Sequence, residues 1–124
     1  MPQRILGDVA RVEQRYADAR AHYRRAFANH WDSEHKPVFS LAFDRYAYLA
    51  MAAEDDIRAT RLLGAGDRIR AEMHLPLAKE QLVEYTPAII LVKERLGEEA
   101  FQQAYAEGQA MELAAAIAYC RELE

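Results

Sequence analysis

The sequence predicts an all-α fold of about seven helices, arranged as stacked helical hairpins closed by a C-terminal helical cap. Three observations predict it. Ala, Leu, Glu and Arg dominate while β-branched residues are sparse, a composition that favours helix. Apolar residues recur at helical spacing along most of the chain. Finally, one pattern of small and large residues occurs twice, forty positions apart. Tyr16-Ala17-Asp18-Ala19 with Tyr23 and Ala26 is matched by Asp56-Ile57-Arg58-Ala59 with Leu63 and Gly66. A small residue one turn before a large one lets a helix lean closely on an antiparallel neighbour, and stacked hairpins usually bind partners rather than transform them.

The elements follow in order. A first helix over residues 2–13 has Ile5, Leu6 and Val9 on one face. A second runs from Tyr16 to about Asn29, with Ala19, Tyr23, Ala26 and Phe27 inward. The loop His30-Trp31-Asp32-Ser33 leads to a third helix near Lys36-Pro37, where proline suits a first turn. Its inward face is Phe39, Phe43, Tyr46, Leu49 and Ala50, and it ends near Ala53. Asp55-Asp56 puts negative charge at the start of a fourth helix, where the helix dipole favours it; His74-Leu75-Pro76 breaks that helix after Met73. A fifth spans 78–95 with Leu82, Tyr85, Ile89, Val92 and Leu96 spaced for burial. Pro87 inside it is expected to kink or split it, or to open a fresh helix capped by Thr86. Gly97 stops it. A sixth helix opens at Glu98-Glu99, contains Phe101, Ala104 and Tyr105 and closes near Gly108. A seventh, over 112–123, offers Leu113, Ile117, Cys120 and Leu123 to the core. The chain is thus read as a single domain, 1–124: first hairpin 1–29, second 36–74, capping helices 78–123.

Bulk properties exclude several classes. At 124 residues the chain is long enough for one continuous core. A net charge of −4 and a pI near 5.6 argue against a general nucleic-acid surface. The single cysteine excludes an internal disulfide and suits a reducing compartment. No apolar run approaches the roughly 20 residues of a membrane span, and Met1-Pro2-Gln3-Arg4 lacks the core of a signal peptide. The expected setting is cytoplasmic. Charge is uneven: residues 1–36 are arginine-rich and 97–124 carry Arg121 against six Glu, a pattern read chiefly as the solvated faces of amphipathic helices.

Leu6-Gly7, Tyr16, Ala19, Tyr23 and Ala26 resemble the small and large positions of the tetratricopeptide repeat. The chain departs from that repeat at Gln3 and Ala10, where aromatics are usual, and its period is forty against about 34. A second resemblance lies in Arg58-Ala59-Thr60-Arg61-Leu62-Leu63-Gly64-Ala65, Leu75-Pro76-Leu77, Glu84-Tyr85, Leu96-Gly97-Glu98-Glu99-Ala100-Phe101 and Ala106-Glu107-Gly108. In this order they resemble the C-terminal helical region of bacterial LuxR/AfsR-like (STAND-type) signalling ATPase transcriptional regulators. That resemblance implies a non-catalytic sensor or interaction module with an ATPase domain upstream; these residues hold no Gly-rich phosphate loop followed by Lys-Ser/Thr. Pro87, and Gly66 where alanine would be usual, depart from the pattern.

Chemistry is sparse. His30, Asp32, Glu34 and His35 crowd one loop, but their spacing matches no standard metal motif. Glu54-Asp55-Asp56 is explained by a helix start, His22 and His74 are isolated, and Cys120 is best read as a small buried residue. No catalytic residue, metal ligand or cofactor site is assigned. The expected function is binding of a protein or peptide. In tetratricopeptide-like stacks the first helix of each hairpin lines the concave face, which gives Arg4, Asp8 and Arg11 in the first repeat and Asp44, Tyr48 and Met51 in the second. The alternatives are a small metal-dependent enzyme using His30 and His35, and nucleic-acid binding through the arginines of residues 4–25. Met1 is expected to begin at a cut edge whose apolar side (Ile5, Leu6, Val9) met a preceding repeat in a longer protein, and to self-associate there.

Overall fold

A computed structural model of the chain describes residues 1–33 and 35–124. Among them are seven helices and no strand: α1 Gln3–Val12, α2 Tyr16–Phe27, α3 Pro37–Ala52, α4 Asp56–Glu72, α5 Lys79–Leu96, α6 Glu98–Ala110 and α7 Leu113–Arg121. The all-α expectation holds, and each predicted helix is found within a few residues of its expected bounds.

Helices α1 and α2 pack along each other, as do α3 and α4. The turns that join them are built alike. Gln14 and Glu54 take left-handed backbones, with φ of 64° and 62°. The next N–H then reaches back to the helix end: Arg15 donates to the Ala10 carbonyl at 2.8 Å, and Asp55 to Ala50 at 2.9 Å. These bonds answer carbonyls that a helix end would leave open. Every matched position lies forty residues from its counterpart. Asp55 also caps α4, accepting from the Arg58 N–H at 3.3 Å.

Helix α3 is the spine. Phe39, Phe43, Tyr46, Leu49 and Ala50 are all buried, as the helical spacing requires. Trp31, in the turn after α2, inserts beside them and stacks on Phe39 with ring centroids 6.3 Å apart. Tyr23, Phe27 and Tyr46 complete the aromatic cluster, and burying each large apolar side chain contributes about 1.5–3 kcal/mol. The paired small and large positions, Ala19 with Tyr23 and Ala59 with Leu63, are fully buried.

Glycine sets the closest helix contacts. A Cβ on Gly7 would lie 2.5 Å from the Tyr23 ring, so glycine lets α2 seat its tyrosine against α1. Between α4 and α6 the fit is tighter. A Cβ on Gly64 would lie 2.5 Å from the Tyr105 carbonyl oxygen, and one on Gly108 only 2.0 Å from that of Arg61. The backbones themselves touch there. Helix α6 ends at Ala110, close to the end near Gly108 expected from sequence.

Two expectations need correction. Pro87 does not split α5, which is one helix from Lys79 to Leu96. Pro87 and Val83, whose carbonyl the proline leaves without its helical donor, both lie on the exposed face, where solvent meets the freed group. Leu82 is 40% exposed, because α5 turns Gln81, Tyr85, Ala88 and Val92 inward. The last helix returns to α3 and α4, burying Ala116 and Cys120, while Leu113, Ile117 and Leu123 are half-buried. Tyr119 lies under the Arg58 guanidinium at 4.3 Å and accepts from Arg61 at 3.2 Å. Ile5 and Val9 are exposed and Leu6 half-buried. No helix among the described residues is long and apolar enough to cross a membrane.

Candidate interaction groove

Helices α1 and α5 flank α3 and leave a groove with α3 as its floor. The six residues assigned from sequence converge on it. Arg4, Asp8, Asp44 and Tyr48 line a section of about 540 Å³, together with Leu41, Arg45 and Gln81. Arg11, Tyr48 and Met51 line an adjoining section of about 340 Å³, with Tyr16, Val83, Pro87 and Leu91. A bridge across the groove divides the two: Arg11 Nη1 on α1 meets Glu84 Oε2 on α5 at 2.7 Å. The Arg11 guanidinium lies 4.8 Å from the centre of the Tyr48 ring beneath it.

The α1 side is a charged cluster. Asp8 accepts from the Tyr23 hydroxyl at 2.5 Å. The same carboxylate faces Arg45 at 3.3 Å and both Arg4 and Arg11 at 3.6 Å. Arg11 also donates to the Tyr23 hydroxyl at 3.0 Å. Burial, together with the bond to the Asp8 carboxylate and against the pull of Arg11, pushes the Tyr23 hydroxyl well above its ordinary pKa. It acts as a donor and not as a base. The Arg11 guanidinium is held above its ordinary value by Glu84 and Tyr23, although burial opposes this. Burial alone dominates at Tyr48, whose pKa also rises.

Asp44 is placed differently from the other five. Its side chain is only 3% exposed and turns to α4, where Arg70 holds it at 2.7 and 3.3 Å. Arg70 also contacts Asp67 at 2.5 Å. Asp67 in turn accepts from the hydroxyls of Tyr85 and Tyr105, the latter at 2.6 Å. One network thus joins α3, α4, α5 and α6. Gly66 leaves room for it, since a Cβ there would lie 3.1 Å from Asp44 Oδ1. Burial lifts the Asp44 carboxyl to about 6, against the pull of Arg70. Asp44 belongs to the packing of α3 on α4 more than to the open lining of the groove.

Sequence reasoning missed Arg45 and Glu84. Arg45 carried a signal, as part of a charged pair in an otherwise apolar helix. Glu84 carried none, because only the fold brings α5 against α1. Other sequence candidates stay apart. His30 is half-buried and His35 exposed, and both border a cleft with Pro37, Leu75 and Gln81; Asp32 is exposed, and Glu34, the fourth residue of their cluster, lies outside the described residues. No group of three His, Cys, Asp or Glu among the described residues could hold a metal ion. His22 meets Gln3 at 2.7 Å. Cys120 is fully buried, and burial pushes its thiol pKa well up, so it is held as the neutral thiol. Of the arginines in residues 4–25, Arg4, Arg11 and Arg15 are turned to carboxylates of the chain, while Arg20, Arg24 and Arg25 are exposed. No protein-family model, curated protein or solved structure matches the chain.

Proposed function

We propose that this chain is a non-catalytic interaction module whose α1–α3–α5 groove receives a segment of a partner protein. The observation that carries the reading is the convergence of Arg4, Asp8, Arg11, Tyr48 and Met51, from two helices forty residues apart in register, on two adjoining groove sections that share Tyr48 and Glu84. Its lining combines charged groups, an aromatic ring and an adaptable thioether, the side chains that dominate protein recognition. The like-built turns at Gln14 and Glu54 support a tetratricopeptide-like stacking of the two hairpins. The order of motifs from Arg58 to Gly108 supports placement in a bacterial STAND-type transcriptional regulator, with the ATPase domain supplied elsewhere in the same protein. Cytoplasmic signal transduction is the setting that reading implies.

The groove is tested by selecting peptides from a displayed random library on the whole chain and mapping them by methyl NMR. Selected peptides are expected to shift the Met51 methyl while leaving those of Met73 and Met111 in place. Shifts confined to other methyls, or no selectable peptide, count against the reading. The regulator assignment has its own check: the reading frame around this segment is expected to encode a Gly-rich phosphate loop, and a frame without one removes it.

A further inference from the structure

Two buried donors in the groove face the Asp8 carboxylate without making a hydrogen bond to it. A guanidinium carries up to about five N–H donors, and a carboxylate about four acceptor positions. Asp8 gives one position to Tyr23 and still faces three guanidiniums. Asp44 is taken by Arg70. Arg45 is held loosely: it is 8% exposed, its Nε faces Asp8 at 3.3 Å without a hydrogen bond, and its bond from Nη2 to Asp8 is long at 3.4 Å. The Nη2 of Arg11 is likewise buried, facing Asp8 at 3.6 Å without a hydrogen bond. Unanswered buried N–H groups are costly, and an arriving acceptor recovers that cost.

Beside these donors lies an apolar half-groove formed by Tyr16, Met51, Val83, Pro87 and Leu91. From this juxtaposition we infer that the groove takes a peptide segment pairing an apolar anchor with a neighbouring carboxylate. The anchor fills the space between Met51, Pro87 and Leu91. The carboxylate accepts from Arg45 and Arg11, displacing Glu84, which occupies Arg11 as an internal stand-in. Glu84 is the group that can leave, since its side chain is 36% exposed while that of Arg11 is 10% exposed. Asp8 and Asp44 are already engaged by arginines and tyrosine, so a cationic segment would meet only the more exposed Glu80 and Glu84. The inference rests on the reading of this groove as the partner-binding surface.

The test uses the peptides selected on the whole chain, each made with its Asp/Glu residues intact and as the Asn/Gln counterpart, with affinity read by fluorescence anisotropy. Enriched sequences are expected to combine an aromatic or aliphatic residue with Asp or Glu. Neutralising the carboxylate is expected to weaken binding about tenfold or more. Glu84→Gln is expected to tighten it about three- to fivefold, the scale of a partly exposed ion pair. Arg45→Gln is expected to abolish the difference between acidic and neutral peptides. Peptides that shift Met51 but are basic or uncharged overturn the inference and leave the interaction reading standing; absence of any peptide at Met51 overturns both. Because Arg45 is buried, its variant must be judged on folded protein. Glu84→Gln sits at a half-exposed site and decides alone: unchanged or weaker binding of acidic peptides overturns the displacement of Glu84.

Discussion

Two clusters of the same chemistry flank α3, and they differ in whether they close. Asp44 sends its carboxylate to α4, where Arg70, Asp67, Tyr85 and Tyr105 answer one another at hydrogen-bond distance. Its neighbour Arg45 points to α1, where Asp8, Arg11, Tyr23 and Glu84 form a looser set in which Arg45 Nε and Arg11 Nη2 face Asp8 at 3.3 and 3.6 Å without a hydrogen bond. The first network ties four helices together and has little left to offer a ligand. The second opens on a groove and keeps donors in reserve. A fully satisfied buried network specifies one packing, whereas a partly satisfied one at a cleft is where an added acceptor gains most. Adjacent residues of one helix, Asp44 and Arg45, therefore join networks of opposite character.

The comparison breaks first at Asp67. Asp67→Ala removes the acceptor of Arg70, Tyr85 and Tyr105 and is expected to cost about 3–5 kcal/mol in urea unfolding. A loss under about 1 kcal/mol would mean that the closed network does not hold α5 and α6. Next comes pH. The folded value of Asp44, about 6, lies above its ordinary 3.8, so the folded state binds that proton more tightly. The stability contributed by this group is therefore present below about 4 and lost as the pH rises through about 6, on the order of 3 kcal/mol in all. Asp44→Asn is expected to flatten that part of the stability profile. The α4–α6 contact is a further check on what holds α6: Gly108→Ala forces a methyl onto the Arg61 carbonyl and is expected to cost about 1–3 kcal/mol. If it costs nothing, the network alone fixes α6.

Local signals carried most of the fold. Apolar spacing gave α3 its inward face, and Ala19 and Ala59 marked the close hairpin contacts, because both depend on residues within one helix. Gly108 stands near the end of α6, where the sequence put it, but its close contact with Arg61 was hidden, because a helix stop and a backbone contact call for the same residue. Leu82 was misread because the inward face of α5 carries Gln81, Glu84 and Tyr85, whose polarity hides it; their partners Asp67 and Arg11 lie on other helices. The groove was legible as far as repeat register reaches, which covers α1 and α3. Its α5 wall has no counterpart forty residues earlier and left no trace that periodicity could detect.

The smallest effect sharpens the contrast most. Glu84→Gln breaks the one ion pair that spans the groove, yet Glu84 is half-exposed and the pair joins α1 to α5 at a single point. Partly exposed pairs contribute about 1 kcal/mol or less, so thermal unfolding is expected to move by no more than about 5 °C. Asp67→Ala changes one carboxylate too, and the expected ratio between the two losses is severalfold. If Glu84→Gln destabilised the chain as much as Asp67→Ala, the bridge over Tyr48 would be a structural tie and the groove a closed seam. A small loss leaves the Arg11–Glu84 pair as a contact the fold can spare, which is the property a displaceable bridge requires.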